Sequence, residues 1–260
     1  PGIYMIEGVG GFGGGNMGLL VGESRVAMID DSVEPLSPML LEHVEETTDR
    51  AVDFMINTHV HGDHAGGNAS FAELGTVVFA HANIRKRLLV DPSPAGGAAG
   101  LPVVTYGDGV TFHLGNIEAR VMHLPNAHTD GDSVIYFPKA NVLHTGDIMF
   151  NGLFPFIDMD NGGSVTGYIA AQKQLLTLVG ATTKIIPGHG PLASREDLKR
   201  NLDVLIDGRE RIKRLVDQGM SDDDIVAANP LADYHDTYNW AFITTERMTR
   251  THLRALREGK

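Results

Sequence analysis

Thr58-His59-Val60-His61-Gly62-Asp63-His64 follows directly on a short apolar run, residues 52–56, so three imidazoles and a carboxylate sit where a strand-sized segment stops. Three more apolar runs end the same way. Residues 117–124 lead into Asn126-Ala127-His128-Thr129-Asp130, residues 142–144 into Thr145-Gly146-Asp147, and residues 184–186 into Pro187-Gly188-His189-Gly190. Strands that deliver polar side chains from their ends to one edge of a sheet make a preorganised site. Gly62, Gly66, Gly67, Gly146, Gly188 and Gly190 let the chain turn tightly beside it.

The donor set predicts metal. His59, His61, Asp63, His64, His128, Asp147 and His189 are too many ligands for one tetrahedral ion. They suit two ions about 3.5–4 Å apart that share a carboxylate and a water. Nitrogen and carboxylate donors without thiolate favour two zinc ions, and iron or manganese fits the same donors. A structural zinc is normally a closed four-ligand site, often with cysteine, and this chain has none. The absence of cysteine also excludes disulfides and cysteine nucleophiles.

Outward from these motifs, strands are expected at residues 3–6, 17–21, 26–30, 76–81, 103–106, 110–114 and 133–137. Helices are expected at 36–44, around 85–89 and at 164–179. Ser194 with Asp197 forms a capping box ahead of Leu198, Leu202, Leu205, Ile206 and Ile212; Ser221 with Asp224 opens a shorter helix, and 240–256 forms the last. Residues 91–100, rich in proline, glycine and alanine, read as a loop. Two groups of strands, with helices between and after them, predict a layered α/β sandwich. It forms one domain over residues 1–260, with a helical segment from about 194.

The net charge of −12 repels a phosphate backbone, and no run approaches the roughly 18 apolar residues of a membrane helix. The expected partner is therefore a small-molecule substrate, without nucleic acid or membrane. A signal peptide ahead of Pro1 would make the protein periplasmic or secreted; without one it is cytoplasmic. His43, His81, His113, His123, His144, His235 and His252 are read as structural or exposed, with His123 and His144 near enough to the ligands to support them. Arg85, Lys86 and Arg87 form a solvated helix face or a substrate-anion patch. Gly8-Val9-Gly10-Gly11-Phe12-Gly13 matches G-x-G-x-x-G, but a dinucleotide site needs a helix next, and residues 17–21 read as a strand.

His59-x-His61-x-Asp63-His64, followed by Gly66-Gly67-Asn68, resembles the signature of the metallo-β-lactamase superfamily. His128, Asp147 and His189 fall in its order, and Ile29-Asp30-Asp31 is similar to its first, non-ligand motif. The resemblance implies a four-layer αβ/βα sandwich with the metals at the sheet edge. His59, His61 and His128 would hold one ion, and Asp63, His64 and His189 the other, with Asp147 bridging. A hydroxide between the ions would be the nucleophile, and Asp63 would orient it and relay a proton. The glycine-rich stretch at Gly8–Gly15 is then either a hairpin loop or a substrate flap.

The stretch from Ala127 to Asp147 resembles true β-lactamases, which makes β-lactam ring hydrolysis the first expectation. The best-known subclass, however, has cysteine where Asp147 stands, no histidine where His64 stands, and a lysine for the drug's carboxylate near Phe150, so weak or promiscuous turnover is implied. His64, Asn68 and Asp147 resemble glyoxalase II, although no basic glutathione site is evident in the C-terminal helices. A thioesterase of that kind, or a lactonase, is the alternative. A di-iron redox protein and a non-catalytic metal-binding protein rank lower. The former carries glutamate at the position of His61, and the latter usually lacks ligands that are present here.

Overall fold

The computed structural model describes residues 2–8 and 14–259. Val9-Gly10-Gly11-Phe12-Gly13, the heart of the hairpin-or-flap reading, lies outside them. The first half of the chain builds β1 (Ile3–Ile6), β2 (Met17–Val21), β3 (Val26–Ile29), α1 (Ser37–Thr48), β4 (Phe54–Ile56), α2 (Gly62–Ala65), α3 (Asn68–Glu73), β5 (Val77–His81), α4 (Ala82–Leu88) and β6 (Val104–Tyr106). These strands form a six-stranded sheet in sequential order, antiparallel through β3 and parallel beyond it. The second sheet, in the order β11-β10-β9-β8-β7, contains β7 (Gly109–His113), β8 (Glu118–His123), β9 (Ser133–Phe137), β10 (Val142–His144) and β11 (Lys184–Ile186). Only β10 and β11 run parallel there, so the chain leaves both in the same direction.

Side-chain alternation makes the layers. Leu20, Ala27, Ile29 and Ile56 face the second sheet, where they meet Val121, Ile135, Phe137 and Ile186. Their neighbours Leu19, Met28 and Met55 point the other way, onto Leu40 and Val44 of α1 and Phe71 of α3. On the far side, Val134, Leu143 and Ile185 pack against α5 (Val165–Leu178) through Ala171 and Leu175, and against Leu198 at the start of α6 (Arg195–Asp217). Helix, sheet, sheet and helix thus stack as the expected αβ/βα sandwich, and a slip of one residue in any central strand would turn its apolar set outward. A further apolar cluster joins α6 to α7 (Asp222–Ala227) and α9 (Thr245–Glu258) through Leu205, Ile212, Ile225 and Leu253. The short α8 (His235–Tyr238) lies between α7 and α9 in the chain.

Capping chemistry fixes the helix starts. Ser194 and Asp197 form the reciprocal capping box, and Ser221 accepts from Asp224 N. The last helix departs from expectation: it begins at Thr245, because the Thr244 side chain caps it by accepting from Arg247 N and the Asn239 side chain accepts from Thr245 N. Residues 240–243 therefore stay outside the helix. The polar stretch after β4 also winds into helical turns, α2 and α3, which no apolar period announced.

Candidate metal centre and its cleft

The described structure brings all seven expected ligands together. His59 and His61 lie on the turn that follows β4, Asp63 and His64 in α2, His128 beyond β8, Asp147 beyond β10, and His189 beyond β11. His59, His61, His128 and Asp147 form one group of converging donor atoms. His64, Asp147 and His189 form a second, and Asp63 with His59 and His64 a third.

Asp147 lies between the groups, and its two oxygens face different ways. Oδ2 lies 3.4 Å from His128 Nε2 and 3.7 Å from His59 Nε2. Oδ1 lies 3.1 Å from His64 Nε2 and 3.5 Å from His189 Nε2. Asp63 Oδ2 completes the second side at 3.3 Å from His189 Nε2 and 3.6 Å from His64 Nε2. The close packing at this point depends on glycine: a Cβ on Gly188 would lie 2.0 Å from Asp147 Oδ1, and one on Gly15 would lie 2.0 Å from His64 Cε1.

Hydrogen bonds behind the rings fix which nitrogen points inward. Asp30 Oδ2 faces His64 Nδ1 at 2.8 Å and accepts from Thr58 Oγ1 at 2.7 Å. Because that hydroxyl proton goes to Asp30, Thr58 Oγ1 is left to accept from His59 Nδ1, 3.0 Å away. One carboxylate therefore orients a histidine on each side of the site, with both Nε2 atoms aimed at the centre. His128 donates through Nδ1 to Phe156 O at 2.8 Å. His61 is turned the other way: Nε2 meets Asp158 Oδ2 at 2.8 Å and Nδ1 faces His128 Nε2 at 2.9 Å. Asp30 holds its position at the end of β3 in a left-handed conformation, φ 59°, which for an aspartate is tolerated where the surroundings fix it.

These contacts explain the protonation pattern. Burial pushes the imidazoles of His59 and His128 down, the latter to about 4, so both are neutral donors. For Asp147 burial pushes upward, but His64, His189, His59 and His128 outweigh it and hold it ionised. Burial also opposes the charged form of Asp63, yet His64 and His189 bring it down to about 2. His64 and His189 are raised against burial by the carboxylates facing them, Asp147 first, and His189 reaches about 9.

Two buried atoms at the centre, His59 Nε2 and Asp147 Oδ1, have no hydrogen-bond partner. Orphaned buried donors and acceptors are costly. Neutral imidazole nitrogens converging with an ionised carboxylate are what a divalent cation takes as ligands, so this donor set fits metal.

A support that sequence reading missed is Asp158, on the loop before α5. Asn161 Nδ2 donates to its Oδ2 at 2.7 Å; Asn161 in turn accepts from Arg87 at 2.8 Å, and Arg87 makes a paired contact with Asp130 at 2.7 and 2.8 Å. Arg87 is neither a free solvated charge nor part of an anion patch; it anchors the chain of contacts that ends on His61. In sequence, Asp158-Met159-Asp160-Asn161-Gly162 reads only as a turn. Of the histidines set aside, buried His144 accepts from Gly146 N at 3.2 Å and supports the turn that carries Asp147. His81 caps α4 and stacks on His123, ring centroids 3.7 Å apart.

The centre opens into a cleft of about 410 Å³. Its floor carries His61, Asp63, Asp147 and His189, and Phe150, Phe156, Trp240 and Phe242 are among its walls. Phe150 is buried and stacks on His189 with centroids 4.8 Å apart.

A family model described as the metallo-beta-lactamase superfamily matches residues 10–189. The chain is similar to the human acyl-coenzyme A thioesterase MBLAC2, 28% identical over 52% of this chain and 54% of that protein, and so spans about half of its length. It is similar also to the type 2 metallo-beta-lactamase of Bacillus cereus, 25% identical over 72% of each. Among solved structures, the sec-alkylsulfatase Pisa1 from Pseudomonas sp. shares the fold with a TM-score of 0.73, at 17% identity over 99% of this chain and 49% of that one.

Proposed function

The chain belongs to the metallo-β-lactamase superfamily of metal-dependent hydrolases, and from that premise we propose that it is a dinuclear zinc hydrolase of activated acyl bonds. The observation that carries this reading is Asp147: one ionised carboxylate, buried between two histidine groups, with an oxygen turned to each. His59, His61 and His128 would hold one ion, and Asp63, His64 and His189 the other, with Asp147 shared. When bound, such ions supply Lewis acidity and bring the pKa of water from ~15.7 to near 7.

The chain's own residues do the rest. Asp30, Thr58, Asp158 and the Phe156 carbonyl hold the imidazoles in fixed tautomers, so little rearrangement accompanies reaction. Asp63 is the most exposed carboxylate of the set and lies on the cleft floor. It orients the attacking water and carries the released proton to the leaving atom, a role commonly worth 10²–10⁴-fold in rate. Water oxygen joins the acyl carbon, the bond to the leaving atom breaks, and the proton ends on that atom.

We infer slower turnover of β-lactams than of thioesters and lactones. Phe150 stands about where the resembling enzymes place a lysine for the drug's carboxylate, and its ring is stacked on His189. Losing such a charge-assisted hydrogen bond costs about 1.5–3 kcal/mol, or one to two decades in kcat/KM. The relatives include proteins described as a thioesterase and as β-lactamases, consistent with one nucleophile serving several acyl groups. A chromogenic cephalosporin, an acyl lactone and an acyl thioester are to be compared at equal concentrations of zinc-loaded protein, with chelator controls. Chelator-sensitive turnover is expected, slowest on the cephalosporin. No turnover of any of the three overturns the reading.

A further inference from the structure

The cleft wall is not made by the residues that make its floor. Trp240 and Phe242 come from the segment between α8 and α9, which lies outside the helix because Thr244 caps α9. The segment is held in place: Trp240 Nε1 donates to Phe154 O at 2.9 Å, Arg247 donates to Phe242 O at 2.9 Å, and the Arg247 guanidinium lies over the Phe242 ring at 4.3 Å. Phe242 packs edge-on against both Trp240 and Phe156, at 5.6 and 5.2 Å between centroids. Trp240 also reaches the metal floor, 6.3 Å from the His189 ring.

The described residues lining the cleft include no lysine or arginine, so the aromatic wall itself offers an anionic group no ion pair. The volume suits a small organic molecule, and aromatic walls gain most from covering apolar surface. Phe242 keeps 38% of its surface exposed although it is a large apolar ring beside a reactive centre, which leaves apolar area for a substrate to cover.

We propose that Trp240, Phe242 and Phe156 form an acyl-chain subsite that selects substrates carrying an apolar acyl group, the acyl carbon lying over the floor and the chain along the wall. This rests on the acyl-hydrolase reading above: water adds to the acyl carbon, the bond to the leaving sulfur or oxygen breaks with a proton passing to that atom, and the fatty carboxylic acid is released. The acid keeps the apolar chain, so it is itself a ligand of the subsite.

Trp240 is the only tryptophan in the chain, so its fluorescence reports occupancy of the wall without reference to turnover. Saturated carboxylates from acetate to octanoate, all below micelle-forming concentrations, are titrated into zinc-loaded and metal-free protein. Binding is expected to tighten about four-fold for each methylene buried, in both forms, until the cleft is full. Phe242→Ala should flatten that gradient and lower the octanoyl-to-acetyl ratio of kcat/KM through KM, whereas Phe242→Leu should keep most of it. Thermal unfolding of both variants checks that the fold is retained. Affinity independent of chain length in the wild-type protein overturns the subsite, even if acyl hydrolysis is brisk. A chain-length gradient with no hydrolysis of any acyl substrate upholds the subsite and removes the reaction assigned above it.

Discussion

Replacing Asp147 by alanine should weaken both metal ions at once. Its Oδ2 lies 3.4 Å from His128 Nε2 and its Oδ1 lies 3.1 Å from His64 Nε2, so it is shared by the donor group of His59, His61 and His128 and that of His64 and His189. Loss of an outer partner that merely orients a ligand typically costs 10–100-fold in metal affinity, and loss of a direct ligand should exceed that. We expect at least a 100-fold loss at each ion, about 2.7 kcal/mol apiece. His64→Ala should show a loss of that size at one ion only. Asp158→Ala, which leaves His61 in place but unsupported at Nε2, should cost 10–100-fold at the other. Competition against a chromophoric chelator, with elemental analysis of the dialysed proteins, measures both stoichiometry and affinity; thermal unfolding of the metal-free forms separates ligand loss from misfolding. Retention of two ions at wild-type affinity by Asp147→Ala, or a loss confined to one ion, would refute the shared-carboxylate arrangement.

Arg87→Ala should lower affinity for the ion held by His61 by about ten-fold, within the range seen for outer partners, because Arg87 reaches that ring only through Asn161 and Asp158; unchanged affinity in the same chelator competition would leave Arg87 a surface ion pair. In zinc-loaded protein, kcat/KM should fall about ten-fold per pH unit below an apparent pKa near ~7, the usual region for water on zinc, and a flat profile from pH 5 to 8 would count against that nucleophile. His252, buried under α6 and lowered by burial to about 3, should govern part of the acid sensitivity of the fold. Its neutral ring is accommodated above ~6.5, the ordinary pKa. Below that, the unfolded chain takes up a proton that the folded one refuses until about pH 3. Stability should therefore decline on acidification by up to about 1.4 kcal/mol per unit, and His252→Leu should lessen the decline in urea titrations at pH 6.5 and 4.5.

The strands and the cluster of histidines and aspartates were legible because both obey short-range rules. Alternation put Ile29 and Ile56 on one face and Met28 and Met55 on the other, and four apolar runs led into a histidine or aspartate. The supports were not legible in that way. Asp158 looks like any turn-forming aspartate until the fold sets it 2.8 Å from His61, a residue 97 positions away. Arg87 read as part of a basic helix face, since nothing near it in sequence announces Asp130. The start of the last helix was misplaced because Trp240 and Phe242 continue an apolar pattern, while the Thr244 cap and the Asn239 bond to Thr245 N override it.

The floor of the cleft closes at His189, where the family match also ends, whereas Trp240 and Phe242 lie beyond it. Mutational drift in the two stretches therefore has different consequences. On the reading proposed above, a lesion among the floor residues would silence the enzyme whatever it is offered, while one in residues 240–243 would change which molecules stay long enough to react. Anyone seeking altered selectivity has a short contiguous window to randomise, and one that contains none of the seven donors.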